Sequence, residues 1–147
     1  MSYHPLPTAL RAAKPASEHT QKAQAKVRGQ LNFADRQSFE DARKGFIATL
    51  EPLTLRRDDG RITYDLEHMS FLDGDAPDTV NPSLWRQAQL NAQHHGLYEV
   101  CEGLYQVRSF DIANMTLIRG NSGWIVIDPL TSSESSAAAL QLANLHL

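Results

Sequence analysis

Leu97-Tyr98-Glu99-Val100-Cys101-Glu102-Gly103-Leu104-Tyr105-Gln106-Val107 decides the fold, because it writes one strand twice around a short polar break. The two tetrapeptides are near-copies with alternating character, and Gly103 stands where a three-residue hairpin loop needs a residue that tolerates positive φ. Downstream the same grammar recurs. Met115–Arg119 and Trp124–Asp128 flank Gly120-Asn121-Ser122-Gly123. Residues 97–128 therefore read as consecutive antiparallel hairpins. Trp124-Ile125-Val126-Ile127 is apolar on both faces, the pattern of a covered inner strand. After Pro129-Leu130, Thr131-Ser132-Ser133-Glu134 reads as a capping box, and an Ala/Leu-rich helix runs from it to Leu147.

Upstream the signals are mixed. Ser38-Phe39-Glu40-Asp41 resembles a capping box, and Phe39, Ala42, Phe46 and Ile47 recur at helical spacing, which predicts a helix through about Thr49, stopped by Pro52. Leu53–Arg57 and Arg61–Asp65 flank Asp58-Asp59-Gly60, a tight turn between short strands. Asp73–Asp78 is a loop of turn formers. It leads to Asn81-Pro82, with Asn suited to the N-cap and Pro to the first helical position. A helix over Pro82–His95 follows, which Gly96 is placed to end.

Residues 1–30 carry five Lys/Arg against the single acid Glu18, leaving nine basic and sixteen acidic residues in the rest of a chain of net charge −3. Spaced among Ala, Gln and Pro without aromatic interleaving, these charges predict a solvated, poorly ordered basic leader. Within it, Ser17–Arg28 can form a short polar helix. The charge gives no reason to expect nucleic acid as a partner, and no stretch approaches the length of a membrane span. No secretory signal pattern is visible, so a cytoplasmic location is the default expectation. Cys101 is the single cysteine, which rules out an intrachain disulfide, and it reads as incidental.

The last helix shows no C-cap and no trailing loop, and the hairpins have one covering helix and no further strands. Residues 97–147 are thus expected to be the first part of a larger domain, preceded by a helical and hairpin extension over 31–96. The six histidines are His4, His19, His68, His94, His95 and His146. His94 and His95 are adjacent on a helix, so their side chains diverge by about 100°. They read as cations near a helix C-terminus, not as ligands of one metal. The others have no companions at ligand spacing, so this chain is expected to bind no metal itself.

Four blocks carry a resemblance. Phe33-Ala34-Asp35-Arg36-Gln37-Ser38-Phe39-Glu40-Asp41-Ala42-Arg43-Lys44-Gly45-Phe46-Ile47, Asp78-Thr79-Val80-Asn81-Pro82-Ser83-Leu84-Trp85-Arg86-Gln87, Asn114-Met115-Thr116-Leu117-Ile118 and Gly123-Trp124-Ile125-Val126-Ile127-Asp128-Pro129-Leu130 resemble, in order, the linear primary alkylsulfatase family of the metallo-β-lactamase superfamily. The match spans about residues 31–147. It implies an α/β fold, an αββα sandwich that is incomplete here, with N-terminal helices followed by antiparallel hairpins and a covering helix. It also implies hydrolysis of medium or long alkyl sulfates, of the dodecyl sulfate type, to an alcohol and sulfate. In the family two zinc ions are held by a Thr-His-x-His-x-Asp-His motif and later Glu and His ligands. A homodimer is implied as well, and periplasmic or secreted relatives exist.

This sequence contains no His-x-His-x-Asp-His. The expected partner is therefore a downstream half carrying the ligands, and the alternative is a non-catalytic product with only a structural or binding role. The resemblance makes Asp128, at the end of an apolar strand, a candidate to orient metal ligands; a turn or capping carboxylate is the plainer reading. Asn114, where the loop 108–113 returns into a strand, is a candidate for the edge of the active site or for a turn-stabilising role. Arg108 and Arg119 are able to attract a sulfate, though strand-end arginines are usually solvated.

Overall fold

The computed structural model describes residues 14–147. The tandem tetrapeptides form β4 (Gly96–Cys101) and β5 (Leu104–Arg108), and Gly103 at φ 76° supplies the left-handed residue of their turn. β6 (Met115–Arg119) and β7 (Trp124–Ile127) form the second hairpin. β5 also pairs with β6, so 96–127 is one continuous antiparallel meander. The hairpins predicted over 97–128 are therefore present, with turns at the expected glycines.

Strand register assigns the two faces. Leu97, Val107 and Met115 lie in one row and Tyr105 and Leu117 in another, all buried. Leu104, Ile118 and Ile125 lie on the opposite face, with Gln106, Thr116 and Ile127. The first face is covered by the helix Ser133–His146, whose stripe Ser135, Ala139, Leu142 and Ala143 is buried. That i, i+4, i+7, i+8 spacing is what one apolar helix face requires. Ser132 is the actual N-cap, its hydroxyl accepting the Ser135 N–H at 3.0 Å. The cap lies one residue beyond the predicted box because Thr131 is engaged elsewhere.

The hairpin β2 (Thr54–Arg56) and β3 (Ile62–Asp65) forms as predicted and packs on the same helix, contributing Leu53 and Leu66 to the core. A five-stranded sheet, a separate two-stranded hairpin and one covering helix are together consistent with an incomplete αββα sandwich.

Two expectations change. The helix read from Ser38 to Thr49 covers only Gln37–Ala42 (α2 here), and Phe46–Ala48 is a strand, β1, paired with β4. Gly45 causes the break. It has φ 73°, a Cβ there would overlap the Glu99 carbonyl, and its own carbonyl accepts the Glu99 N–H at 2.7 Å. Sheet pairing thus overrides a helical spacing of apolar residues. Second, Gly96 does not end the helix Pro82–Gln93 (α3), which stops earlier. It opens β4 at φ 134°, where a Cβ would overlap the Ala48 carbonyl. The short polar helix read over Ser17–Arg28 within the leader is present as Glu18–Gln30 (α1), with no residue buried. Ser17 caps it, and Arg28 donates to the Ala76 carbonyl at 2.8 Å and to Asp78. The remaining expectation for the leader, over residues 1–13, lies outside the described residues.

β7 has the apolar pattern of a strand covered in a complete sandwich, and in this chain its outer face is open. The sheet order is β1-β4-β5-β6-β7, so β7 is an edge, and Ile125, Val126 and Ile127 are exposed. No helix among the described residues is long and apolar enough to cross a membrane.

Candidate functional site

Two loops meet at the end of the sheet where β5, β6 and β7 turn. Phe110, fully buried, pins the loop between β5 and β6 to the core. The next residue, Asp111, is 9% exposed and bridges to the other loop. Its Oδ1 accepts the Ala113 N–H at 2.8 Å, within its own loop. Its Oδ2 accepts the Thr131 N–H at 2.7 Å and the Thr131 hydroxyl at 2.8 Å, twenty residues away. Burial pushes this carboxyl up, but the bonds from Thr131, Ala113 and Ser135 outweigh it and hold Asp111 below its ordinary value. Burial, and then the Asp111 charge, raise the neighbouring Tyr64 phenol. The sequence reading did not find Asp111. An Asp inside a polar loop gives no local sign of a partner twenty residues on.

Asn114 and Asp128 sit on the two loops that Asp111 joins. Asn114 is exposed and lines a cleft of about 390 Å³ with Tyr64, Leu66, Met69, Ala92 and Ile112. Asp128 ends β7 at φ 53°, exposed, and its Oδ1 accepts the Leu130 N–H at 3.3 Å. Arg108 is half-buried and Arg119 exposed, each over an aromatic ring. Arg108 stacks 4.4 Å from the Tyr98 ring and donates to Gln106, and Arg119 lies 5.0 Å from the Trp124 ring.

The histidines are scattered. His68 is exposed beside Asp65, at 3.4 Å. His19 and His146 are exposed on different helices. His94 and His95 follow the last turn of α3, with His94 Nε2 and both His95 ring nitrogens buried and without a protein partner. Burial first, then Arg43, Arg36 and His95, lower the His94 pKa. That corrects the reading of His94 as a helix-terminal cation, since burial first and then the surrounding guanidiniums favour its neutral form. Among the described residues no three His, Cys, Asp or Glu side chains converge as a metal site. A zinc pair needs several such ligands around open positions. The donors present here do not fit one.

The class of protein follows from the architecture. A helix-covered antiparallel meander is consistent with one layer of an incomplete αββα sandwich. No family model matches the chain. The (R)-specific secondary-alkylsulfatase of Pseudomonas sp. is 49% identical over 135 residues, 91% of this chain and 20% of that protein. The Alkyl/aryl-sulfatase BDS1 of Saccharomyces cerevisiae is 44% identical over 135 residues, 91% of this chain and 21% of its own length. The solved structure of the stereoselective inverting sec-alkylsulfatase Pisa1 from Pseudomonas sp. superposes with a TM-score of 0.82 at 49% identity, covering 92% of this chain and 21% of that one. The chain belongs to the linear/secondary alkylsulfatase family of the metallo-β-lactamase superfamily, and it spans about a fifth of the length of these relatives.

Proposed function

We propose that the chain is the N-terminal helix–sheet part of a zinc-dependent alkylsulfatase that hydrolyses medium or long alkyl sulfates to an alcohol and sulfate, and that alone it is non-catalytic. The observation that carries this reading is the superposition at 49% identity over 92% of the chain. Sulfate ester hydrolysis demands an activated water and a neutralised leaving oxygen, for which the family's metal ions serve. The donors among the described residues do not form such a centre, so in this reading the ligand set comes from a further polypeptide segment. In that assembly this chain supplies the scaffold. Asp128 would orient a metal ligand from the end of β7, and Asn114 would border the substrate cleft. The open face of Ile118, Ile125 and Ile127 would pack on the second sheet, and the assembled enzyme would be a homodimer.

The test is complementation. The full chain is incubated with a separately produced polypeptide comprising the part of the Pseudomonas (R)-specific secondary-alkylsulfatase that the chain does not match. Zinc content and release of sulfate from a secondary alkyl sulfate are followed, since that is the substrate class of the enzyme supplying the second part, and dodecyl sulfate is assayed in parallel. The expected outcome is no turnover by the chain, none by the complement, and turnover with bound zinc when both are present. Turnover by the chain alone, or failure of the two parts to associate, overturns the reading.

A further inference from the structure

Among the described residues, three besides glycine have a backbone in the left-handed region: Ser109 (φ 58°), Asp128 (φ 53°) and Leu130 (φ 73°). All three lie in the two loops that Asp111 bridges. Leucine is an unfavourable occupant of that region, because its Cβ crowds the following carbonyl and its side chain offers no compensating hydrogen bond. Such a conformation persists only where the surroundings over-determine it.

Four contacts hold the turn Asp128-Pro129-Leu130. Asp128 Oδ1 accepts the Leu130 N–H from within, Leu130 packs against the core, the Ser136 hydroxyl donates to the Pro129 carbonyl, and the Asp111 carboxylate takes both Thr131 donors immediately after Leu130. The last is the strongest in kind, two bonds to an ionised acceptor that is itself nearly buried. It is not needed to start the helix that follows. Ser132 caps that helix independently, with the Ser136 hydroxyl donating back to the Ser132 carbonyl at 2.9 Å. The Asp111–Thr131 lock therefore acts on the turn that precedes the helix.

We infer that Asp111 is a positioning residue: through Thr131 it holds Asp128-Pro129-Leu130 in its left-handed turn and so sets the direction in which the Asp128 carboxylate leaves the end of β7. With the lock removed, Leu130 relaxes to negative φ and the peptide planes on either side of Pro129 rotate, carrying Asp128 with them. The same carboxylate fixes Ala113, next to Asn114 in the lining of the cleft, so one buried group ties both loops. This rests on the proposed function for the use made of Asp128, but the geometry belongs to this chain alone.

The experiment is nuclear magnetic resonance on the full isotope-labelled chain, comparing wild type with D111A, D111N, T131V and T131S. In D111A, D111N and T131V the HN–Hα couplings and carbonyl shifts of Asp128 and Leu130 move away from left-handed values. In the two Asp111 variants the Thr131 amide also exchanges about tenfold faster or more, the loss expected for a bond to a charged acceptor. T131S keeps both donors and stays wild-type. Amides in the middle of the last helix keep their protection, which a merely structural role for Asp111 would not leave untouched. Unchanged couplings at Asp128 and Leu130 in the Asp111 variants overturn the inference. Should D111A fail to fold, D111N and T131V carry the same measurement.

In the complementation assay D111N is expected to lower kcat about tenfold or more while KM stays within about threefold, as for other groups that orient metal ligands. Wild-type activity with an unaltered kcat in D111N overturns the positioning role. Inactivity of the wild-type pair counts against the proposed function, and the couplings then decide on Asp111 by themselves.

Discussion

In the sheet layer Leu97, Val107, Phe110, Met115 and Leu117 are fully buried and meet Ala139, Leu142 and Ala143 of the covering helix in one continuous apolar cluster. In the helical flank, made by α1, α2, α3 and the 3₁₀ turn Glu67–Leu72, the buried apolar side chains besides Pro82 are Phe39 and Leu72. The flank is laced instead by long polar side chains reaching backbone carbonyls. Trp85 and Gln89 donate to the Gly74 carbonyl at 3.0 and 2.9 Å, and Arg86 to that of Asp35 at 2.5 Å. Phe39 is held by cations, with Arg36 at 3.6 Å and Arg86 at 5.0 Å from its ring. One region is close-packed and dry, the other tied down at its rim. Apolar burial is cooperative across the cluster, whereas rim contacts open one at a time, so the two regions should differ in how they come apart.

The sharpest contrast is between Leu117→Ala and Phe39→Ala. Leu117 is enclosed by the sheet and the helix, so its truncation should cost about 2–5 kcal/mol of global stability. Phe39→Ala removes a larger side chain but from the flank. We expect less than about 1 kcal/mol of global change, with amide protection lost locally in α2 and α3. Denaturant titration paired with hydrogen exchange checks both. A Phe39 variant as globally destabilised as the Leu117 variant would show that flank and sheet unfold as a single unit.

Acid should separate the regions next. His94 in the flank has a lowered pKa, so the folded state favours its neutral form. The unfolded chain binds more protons below the ordinary value of 6.5, and the stability tied to neutral His94 is complete above that pH and lost as pH falls below it. Asp111 in the sheet is also lowered, from 3.8. Its contribution is complete above that value and disappears only as pH falls further, through its folded pKa. Hydrogen exchange from pH 7 to 3 should show α2 and α3 loosening first and the sheet later. His94→Gln should abolish the early step alone. A flank whose protection does not change between pH 7 and 5 would contradict this order.

The same division governs what was legible in the sequence. The sheet hairpins were readable because alternation and turn glycines are local signals, and Asn81-Pro82 announced α3 by the same logic. Phe39, Ala42, Phe46 and Ile47 misled because their spacing satisfies a helix while Gly45 must accept the Glu99 strand. The glycine was a visible cue, but its need for positive φ comes from a contact 54 positions away. Of the candidate site, Asp128 and Asn114 were legible as the ends of strands. Asp111 was not, because its chemistry arises from Thr131, which only the closed sheet brings to it.

The smallest effect on stability, and the one that most directly tests where the dry region ends, belongs to β7. Ile125 and Ile127 sit on the sheet face opposite the helix, at 57% and 53% exposure. They pair across to Ile118 and Thr116, and among the described residues no strand lies beyond them. Their apolar character therefore contributes little to folding of the chain, while the open edge and face favour association between chains. Replacing both by threonine keeps β-branching and strand propensity, so the change in unfolding free energy should stay within about 0.5 kcal/mol per site. Hydrophobic dye binding and concentration-dependent sedimentation should both fall, because the surface that drives them has been made polar. In wild type the complementing polypeptide should suppress the same two signals by covering the face. A double variant destabilised by more than about 2 kcal/mol would mean that these residues are enclosed in the chain by itself. The boundary between the packed layer and its surroundings would then lie beyond β7 instead of at β6.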